Sequence, residues 1–212
     1  MTTIVIDYGA GNLRSAAKAL AVAAADGKAG PVLVSDDPAA IRAADRLVLP
    51  GVGAFADCKR GLESRPGVIE AMTEAVIGKH RPFLGICVGM QLLATVGVEY
   101  GEHPGLDWIK GKVVKLTPSD PNLKIPQMGW NNLELKADHP LFAGLASGDH
   151  GYFVHSYHFV ADDPKSVLAE VDYGGKVAAV IGRDNLVGVQ FHPEKSQQVG
   201  LRLLANFLAW RP

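Results

Sequence analysis

The segment Gly85-Ile86-Cys87-Val88-Gly89-Met90-Gln91 sets a cysteine between two glycines, where an apolar run gives way to helix-forming residues. A sharp strand-to-helix turn of this kind projects a nucleophile from the carboxyl end of a sheet, and the glycines remove Cβ atoms that would collide there. The turn holds its nucleophile in a strained backbone conformation. A helix beginning just beyond it directs its positive end at the sulfur, which favours thiolate. A thiolate that attacks an amide needs a proton donor for the departing nitrogen, normally a histidine held by a carboxylate. Of the seven histidines, His192 is best placed, because it follows the strand-like run Val187-Gly188-Val189-Gln190-Phe191. Pro193 restricts the turn after it, and Glu194 stands two residues on. Pro50-Gly51-Val52-Gly53 ends another strand-like run with little side chain. The amide of Val52 or Gly53, with that of Val88, would there stabilise the negative oxygen formed during attack.

Taken singly, each segment has a plainer reading. Cys87 fits a small buried hydrophobe at a strand end, His192-Pro193-Glu194 fits a surface turn, and the glycine loop fits a tight turn into a helix. Cys58, between Asp57 and Lys59 in a helical stretch, reads as structural. His155 and His158 fall on opposite faces of one strand if the run 152–160 is continuous. No histidine pair has zinc-like spacing with cysteine, so no metal is expected.

Strands alternating with helices must position these groups. Residues 3–7, 31–34, 46–49 and 82–86 are short β-branched or apolar runs, and helical stretches fall at 13–25, 38–44, 54–63 and 67–79. Asn12 is placed to cap the first helix and Asp26-Gly27 to stop it. This alternation predicts an α/β fold with a mainly parallel central sheet flanked by helices. Past about residue 105 the pattern changes to strands at 111–116, 132–135, 152–160, 167–171, 176–181 and 186–191, which are expected to be antiparallel additions. Arg183-Asp184-Asn185 is expected as a hairpin turn, and residues 197–210 as a closing helix. Nothing resembles a linker, so residues 1–212 are expected to form one domain.

With 48% hydrophobic and 20% charged residues in 212, the chain has enough apolar content for a buried core and is not a disordered type. The net charge of -1 comes without a basic block, which gives no reason to expect nucleic-acid or anionic-membrane binding. Two cysteines are too few for a disulfide framework. No signal-type start or membrane-length apolar run is evident, so a cytoplasmic setting is expected.

In their order and spacing, Pro50-Gly51-Val52-Gly53-Ala54-Phe55, the cysteine turn and Gln190-Phe191-His192-Pro193-Glu194-Lys195-Ser196 resemble the class I (triad-type) glutamine amidotransferases. Within that class the chain is similar to the glutaminase subunits of imidazole glycerol phosphate synthases in histidine biosynthesis. That likeness is carried by Ile6-Asp7-Tyr8-Gly9-Ala10-Gly11-Asn12-Leu13, Pro126-Gln127-Met128-Gly129-Trp130-Asn131 and Tyr152-Phe153-Val154-His155-Ser156-Tyr157. The resemblance implies a flavodoxin-like architecture and a Cys87-His192-Glu194 triad that hydrolyses L-glutamine through a thioester, without a cofactor. It implies that Gln91, Gly53 and the Ser156-Tyr157 backbone hold the glutamine. It implies a heterodimer with a (βα)8-barrel cyclase, met by Tyr8, Asn12, Trp130 and Lys195, to which ammonia is passed. The family usually has Leu where Val88 stands and often His where Gln127 stands.

Overall fold

The computed structural model describes residues 1–24 and 30–212. The expected Asp26-Gly27 helix stop lies outside the described residues. Strand β1 (Thr3–Ile6) leads to helix α1 (Leu13–Ala23), then β2 (Val32–Ser35), α2 (Pro38–Ala43), β3 (Arg46–Gly51) and α3 (Phe55–Glu63). Next come α4 (Val68–Thr73), β4 (Phe83–Cys87) and α5 (Val88–Gln91). The stretch read as one helix over 67–79 is α-helical only to Thr73 and continues as a π turn over Glu74–Gly78.

The second half holds β5 (Val96–Val98), β6 (Glu102–Pro104), β7 (Gly111–Lys115), β8 (Gln127–Asn132), β9 (Glu134–Leu135) and β10 (His150–His155). Then follow β11 (Tyr157–Ala161), β12 (Val167–Asp172), β13 (Lys176–Arg183), β14 (Leu186–Val189) and α6 (Gln197–Ala209). The main sheet has eight strands in the order β2-β1-β3-β4-β14-β13-β12-β9. From β2 to β14 neighbouring strands are parallel, and β13, β12 and β9 add on antiparallel.

Every residue of β1, β3, β4 and β14 is buried, as expected of parallel strands covered on both faces. Leu47, Val48, Leu49, Phe83 and Leu84 are fully excluded from solvent, and each such side chain contributes roughly 1.5–3 kcal/mol. Helices α1 and α6 pack on one another, while α2, α3 and α4 form a second group. The fold class read from the sequence is the one observed.

Three expectations need correction. Asn12 does precede α1, but its side chain makes no capping hydrogen bond; only its carbonyl enters the helix, accepting from Ala16 N at 2.9 Å. The run 152–160 is two strands, because the chain turns at Ser156. On one side β10 pairs with β8 as a ribbon, and on the other β11 pairs with β7 in a four-stranded sheet. His155 and His158 therefore do not share a strand. The expected strand over 132–135 is likewise split between β8 and β9, while β5 and β6 are too short to show a periodicity.

Candidate active site

Strands β3 and β4 are paired to their ends, with Gly51 opposite Cys87, so the glycine loop and the cysteine turn leave the sheet side by side. Cys87 has φ 55° and ψ -113°, a conformation that non-glycine residues rarely adopt. The glycines make it possible. A Cβ at Gly85 would stand 2.5 Å from the Gly89 carbonyl oxygen, and one at Gly89 would overlap the carbonyl oxygen of Leu49. Gly89→Ala must therefore push α5 off β3, and overpacking of this kind destabilises by about 1–3 kcal/mol or more. The expected result is a melting temperature about 2–12 °C lower; a melting curve equal to that of the unaltered chain would contradict the close-packed turn. One expectation is reduced. Helix α5 is a single turn of four residues, too short for a strong macrodipole, so local N–H groups matter here and not a helix end.

His192 is 3% exposed and follows β14 into a 3-10 turn, Pro193–Lys195. Its Nδ1 lies 2.9 Å from Glu194 Oε1. The turn is stapled to β10: His192 N donates to Tyr152 O at 2.9 Å, Ser196 Oγ donates to His192 O at 2.7 Å, and Tyr152 N donates to Ser196 Oγ at 3.0 Å. The ring is thus held on both its backbone and its Nδ1 side, which leaves Nε2 for Cys87. Burial acts to lower the imidazole pKa, but hydrogen bonding to Cys87 and Glu194 and their negative charge outweigh it, and the value is pushed up to about 9. The Glu194 side chain is only 2% exposed and its Oε2 has no partner, so His192 is what neutralises this carboxylate. Glu194 hydrogen-bonds His192, and His192 and Cys87 line the same pocket.

A pocket of about 350 Å³ opens over Cys87 and His192. Cys87 and His192 line it together with Val52, Gly53 and Val88, as do Gln91, Ser156 and Tyr157. The oxyanion and substrate residues expected from the sequence therefore face a single cavity. Gln91 Nε2 donates to Tyr157 O and to Gln190 Oε1, both at 3.0 Å, and Gln190 Nε2 lies 3.8 Å from Cys87 Sγ. Such a site can seat a small amide beside a sulfur, a protonated imidazole and backbone N–H donors. That is the equipment for acyl transfer through a thioester.

A family profile described as glutamine amidotransferase class-I matches residues 4–210. The chain belongs to this family. Among curated proteins it is 61% identical to imidazole glycerol phosphate synthase subunit HisH of Rhodospirillum rubrum, with both chains covered in full. It is 58% identical to the protein of that name in Ruegeria pomeroyi and 55% to that of Agrobacterium fabrum, again over all of both chains. Among solved structures, a glutamine amidotransferase superposes with a TM-score of 0.72 at 19% identity, covering 98% of this chain and 99% of the other. The glutaminase domain of Trypanosoma brucei CTPS with bound acivicin superposes at 0.62 and 11% identity, covering 100% and 95%. At those identities the two structures speak for the fold.

For a class-I glutamine amidotransferase, four residues stand out to which the sequence reading gave no role in the site. Glu99, after β5, lies on the pocket wall and its Oε2 accepts from Phe55 N at 2.7 Å. Gln190 bridges Gln91 and Cys87. His155 Nδ1 is 2.7 Å from Tyr157 O, and its Nε2 is 3.0 Å from Gln127 Oε1. Burial pushes the His155 pKa down to about 4, so the ring is neutral and has one N–H. A carbonyl only accepts, which puts that proton on Nδ1. Nε2 then accepts, and a Gln127 amide turned to present Nε2 satisfies both groups; that nitrogen otherwise has no partner. No local pattern shows what these side chains bind, since each finds its partner through tertiary structure.

The residues that the resemblance assigned to a partner face divide. Trp130 is 46% exposed and stands edge-on to Tyr152, centroids 5.7 Å apart, and Lys195 Nζ lies 5.7 Å from the same ring. Asn12 is half-buried. Tyr8 is not on an open face: it is 2% exposed, and its hydroxyl donates to Pro50 O at 2.7 Å.

Proposed function

We propose that the chain is the glutaminase subunit of an imidazole glycerol phosphate synthase and works in the cytoplasm in histidine biosynthesis as a single amidotransferase domain. The observation that carries the reading is His192, hydrogen-bonded to Glu194, lining with Cys87 and the glycine loop a single pocket. Full-length identity of 55–61% to proteins named as HisH subunits supports the choice of synthase.

The Cys87 sulfur attacks the side-chain amide carbon of L-glutamine, and the electron pair of the carbonyl moves to oxygen. That oxygen is met by the N–H of Val88 and by the Val52 or Gly53 N–H. As the C–N bond breaks, His192 gives its proton to the nitrogen and ammonia leaves. The thioester on Cys87 is then hydrolysed by a water whose proton passes to His192, and glutamate departs. Glu99 is the carboxylate on the pocket wall suited to the α-ammonium of an amino acid.

Ammonia passes to a (βα)8-barrel cyclase, which combines it with a phosphoribulosyl aminoimidazole carboxamide nucleotide and forms imidazole glycerol phosphate and aminoimidazole carboxamide ribotide. Trp130 and Lys195, flanking Tyr152, and half-buried Asn12 are the surface groups for that heterodimer. The test is glutamate release by the purified chain with and without this cyclase and its nucleotide ligand. A partner that biases the glycine loop toward its catalytic arrangement should raise the rate at least about tenfold. Equal rates in both conditions would reject the partnership.

A further inference from the structure

The glycine loop is held from behind by two buried side chains that do not themselves line the pocket. The Tyr8 hydroxyl donates to Pro50 O at 2.7 Å, and the Cys58 thiol donates to Val52 O at 3.2 Å. Tyr8 is 2% and Cys58 0% exposed. Burial pushes the pKa of both groups up, so both keep the proton they donate.

The sheet order gives these two bonds a direction. Strand β3 lies between β1 and β4. Gly51 pairs with Cys87 on the β4 side, whereas Tyr8, two residues past the end of β1, takes the Pro50 carbonyl on the other. Alternate carbonyls of extended backbone point the same way, and the Val52 carbonyl accordingly turns toward Cys58, the neighbour of Tyr8. Across a trans peptide the N–H points opposite to the carbonyl. The Gly53 N–H is therefore aimed at the β4 side, where Cys87 and Val88 stand. Gly53 itself has φ 92° and no Cβ to fix it, so the peptide before it is the soft point of the loop.

We propose that Tyr8 and Cys58 are positioning residues for the oxyanion hole, holding the Pro50 and Val52 carbonyls so that the Gly53 N–H faces the oxygen that turns negative during attack by Cys87. This rests on the glutaminase reading. Without these bonds the 52–53 peptide is free to rotate and present a carbonyl to that oxygen, which repels it. The ground-state amide makes little use of the hole, so the loss falls on kcat and not on KM.

The experiment compares Tyr8→Phe, Cys58→Ala and Cys58→Ser with the unaltered full chain, each with its cyclase partner present. Two quantities are followed: glutamine hydrolysis, and alkylation of Cys87 by iodoacetamide, read by mass spectrometry. Alkylation needs the sulfur but no oxyanion hole. Tyr8→Phe and Cys58→Ala are expected to lower kcat by about 10- to 100-fold with KM and alkylation rate within about twofold. Cys58→Ser, which keeps a donor, is expected to recover most of the loss. Values of kcat within twofold of the unaltered chain in both Tyr8→Phe and Cys58→Ala would overturn the proposal. So would parallel loss of hydrolysis and alkylation, which marks a merely structural role, or a serine variant no better than alanine. Should Cys58→Ala fail to fold, Tyr8→Phe decides alone, because it keeps the buried ring and removes one oxygen. An unaltered chain that hydrolyses no glutamine would overturn the glutaminase reading together with this inference, whereas an active chain with unaffected variants overturns this inference only.

Discussion

Cys87→Ala is expected to release no glutamate above background in the presence of the cyclase and its ligand, a fall of at least about 10⁴-fold. Nothing else in the site can take over. Gln190, whose Nε2 lies 3.8 Å from the sulfur, is an amide and no nucleophile, and Cys58 is sealed behind the loop with its thiol on Val52 O. Alanine keeps the Cβ of residue 87, so the turn between β4 and α5 is filled as before. Partner binding and melting temperature are expected to stay close to those of the unaltered chain. Cys87→Ser should behave likewise, since a hydroxyl in place of the thiol is a much poorer nucleophile near neutral pH. Glutamate release by purified Cys87→Ala at the unaltered rate would reject the thioester mechanism.

Glu194→Gln is expected to lower glutamine hydrolysis by roughly 10²–10⁴-fold, because the amide neither stabilises the imidazolium nor enforces the tautomer. The same change should be visible without turnover. Burial alone lowers the His192 pKa, and the groups that raise it to about 9 are Cys87 and Glu194. Removing one of the two must bring the titration midpoint down, readable from the ring resonances by NMR.

Stability follows with a definite sign. A folded pKa of about 9 against an ordinary value of 6.5 means that the native state holds this proton more tightly than the unfolded chain. The contribution is complete below about pH 6.5 and is lost as pH rises through about 9. Denaturation midpoints of the unaltered chain should therefore decline over that window, and the decline should be shallower in Glu194→Gln. An unshifted His192 titration in that variant would show that the carboxylate does not hold the ring.

The close environment of the triad was legible in the chain because its determinants are local. Glycines at 85 and 89 allow the turn at Cys87 by steric exclusion, which depends only on neighbours in sequence and on one strand alongside. His192 and Glu194 are two residues apart across a proline, so their hydrogen bond is a property of one turn. Uninterrupted apolar runs in β1, β3 and β4 likewise announced a sheet buried on both faces.

What local pattern could not supply was any contact made across the chain. The stretch 152–160 alternates well enough to look like one strand, yet Ser156 is a joint, since its two halves find different partners in β8 and β7. Tyr8, which the resemblance assigns to a partner face, is instead buried, its hydroxyl on the carbonyl of Pro50, 42 residues away. Gln91 and Gln190 meet at a separation of 99 residues, and Glu99 reaches the pocket from a loop with no motif. The amino-acid order by itself determined a nucleophile turn, a His-Pro-Glu turn, a glycine loop and the kind of sheet that carries them. Only tertiary structure decided that they converge, which side chains hold the loop from behind and which line the pocket. The physical reason is that steric and hydrophobic periodicity act over a few residues, whereas hydrogen-bond partners are chosen by strand order and register, which no short segment contains.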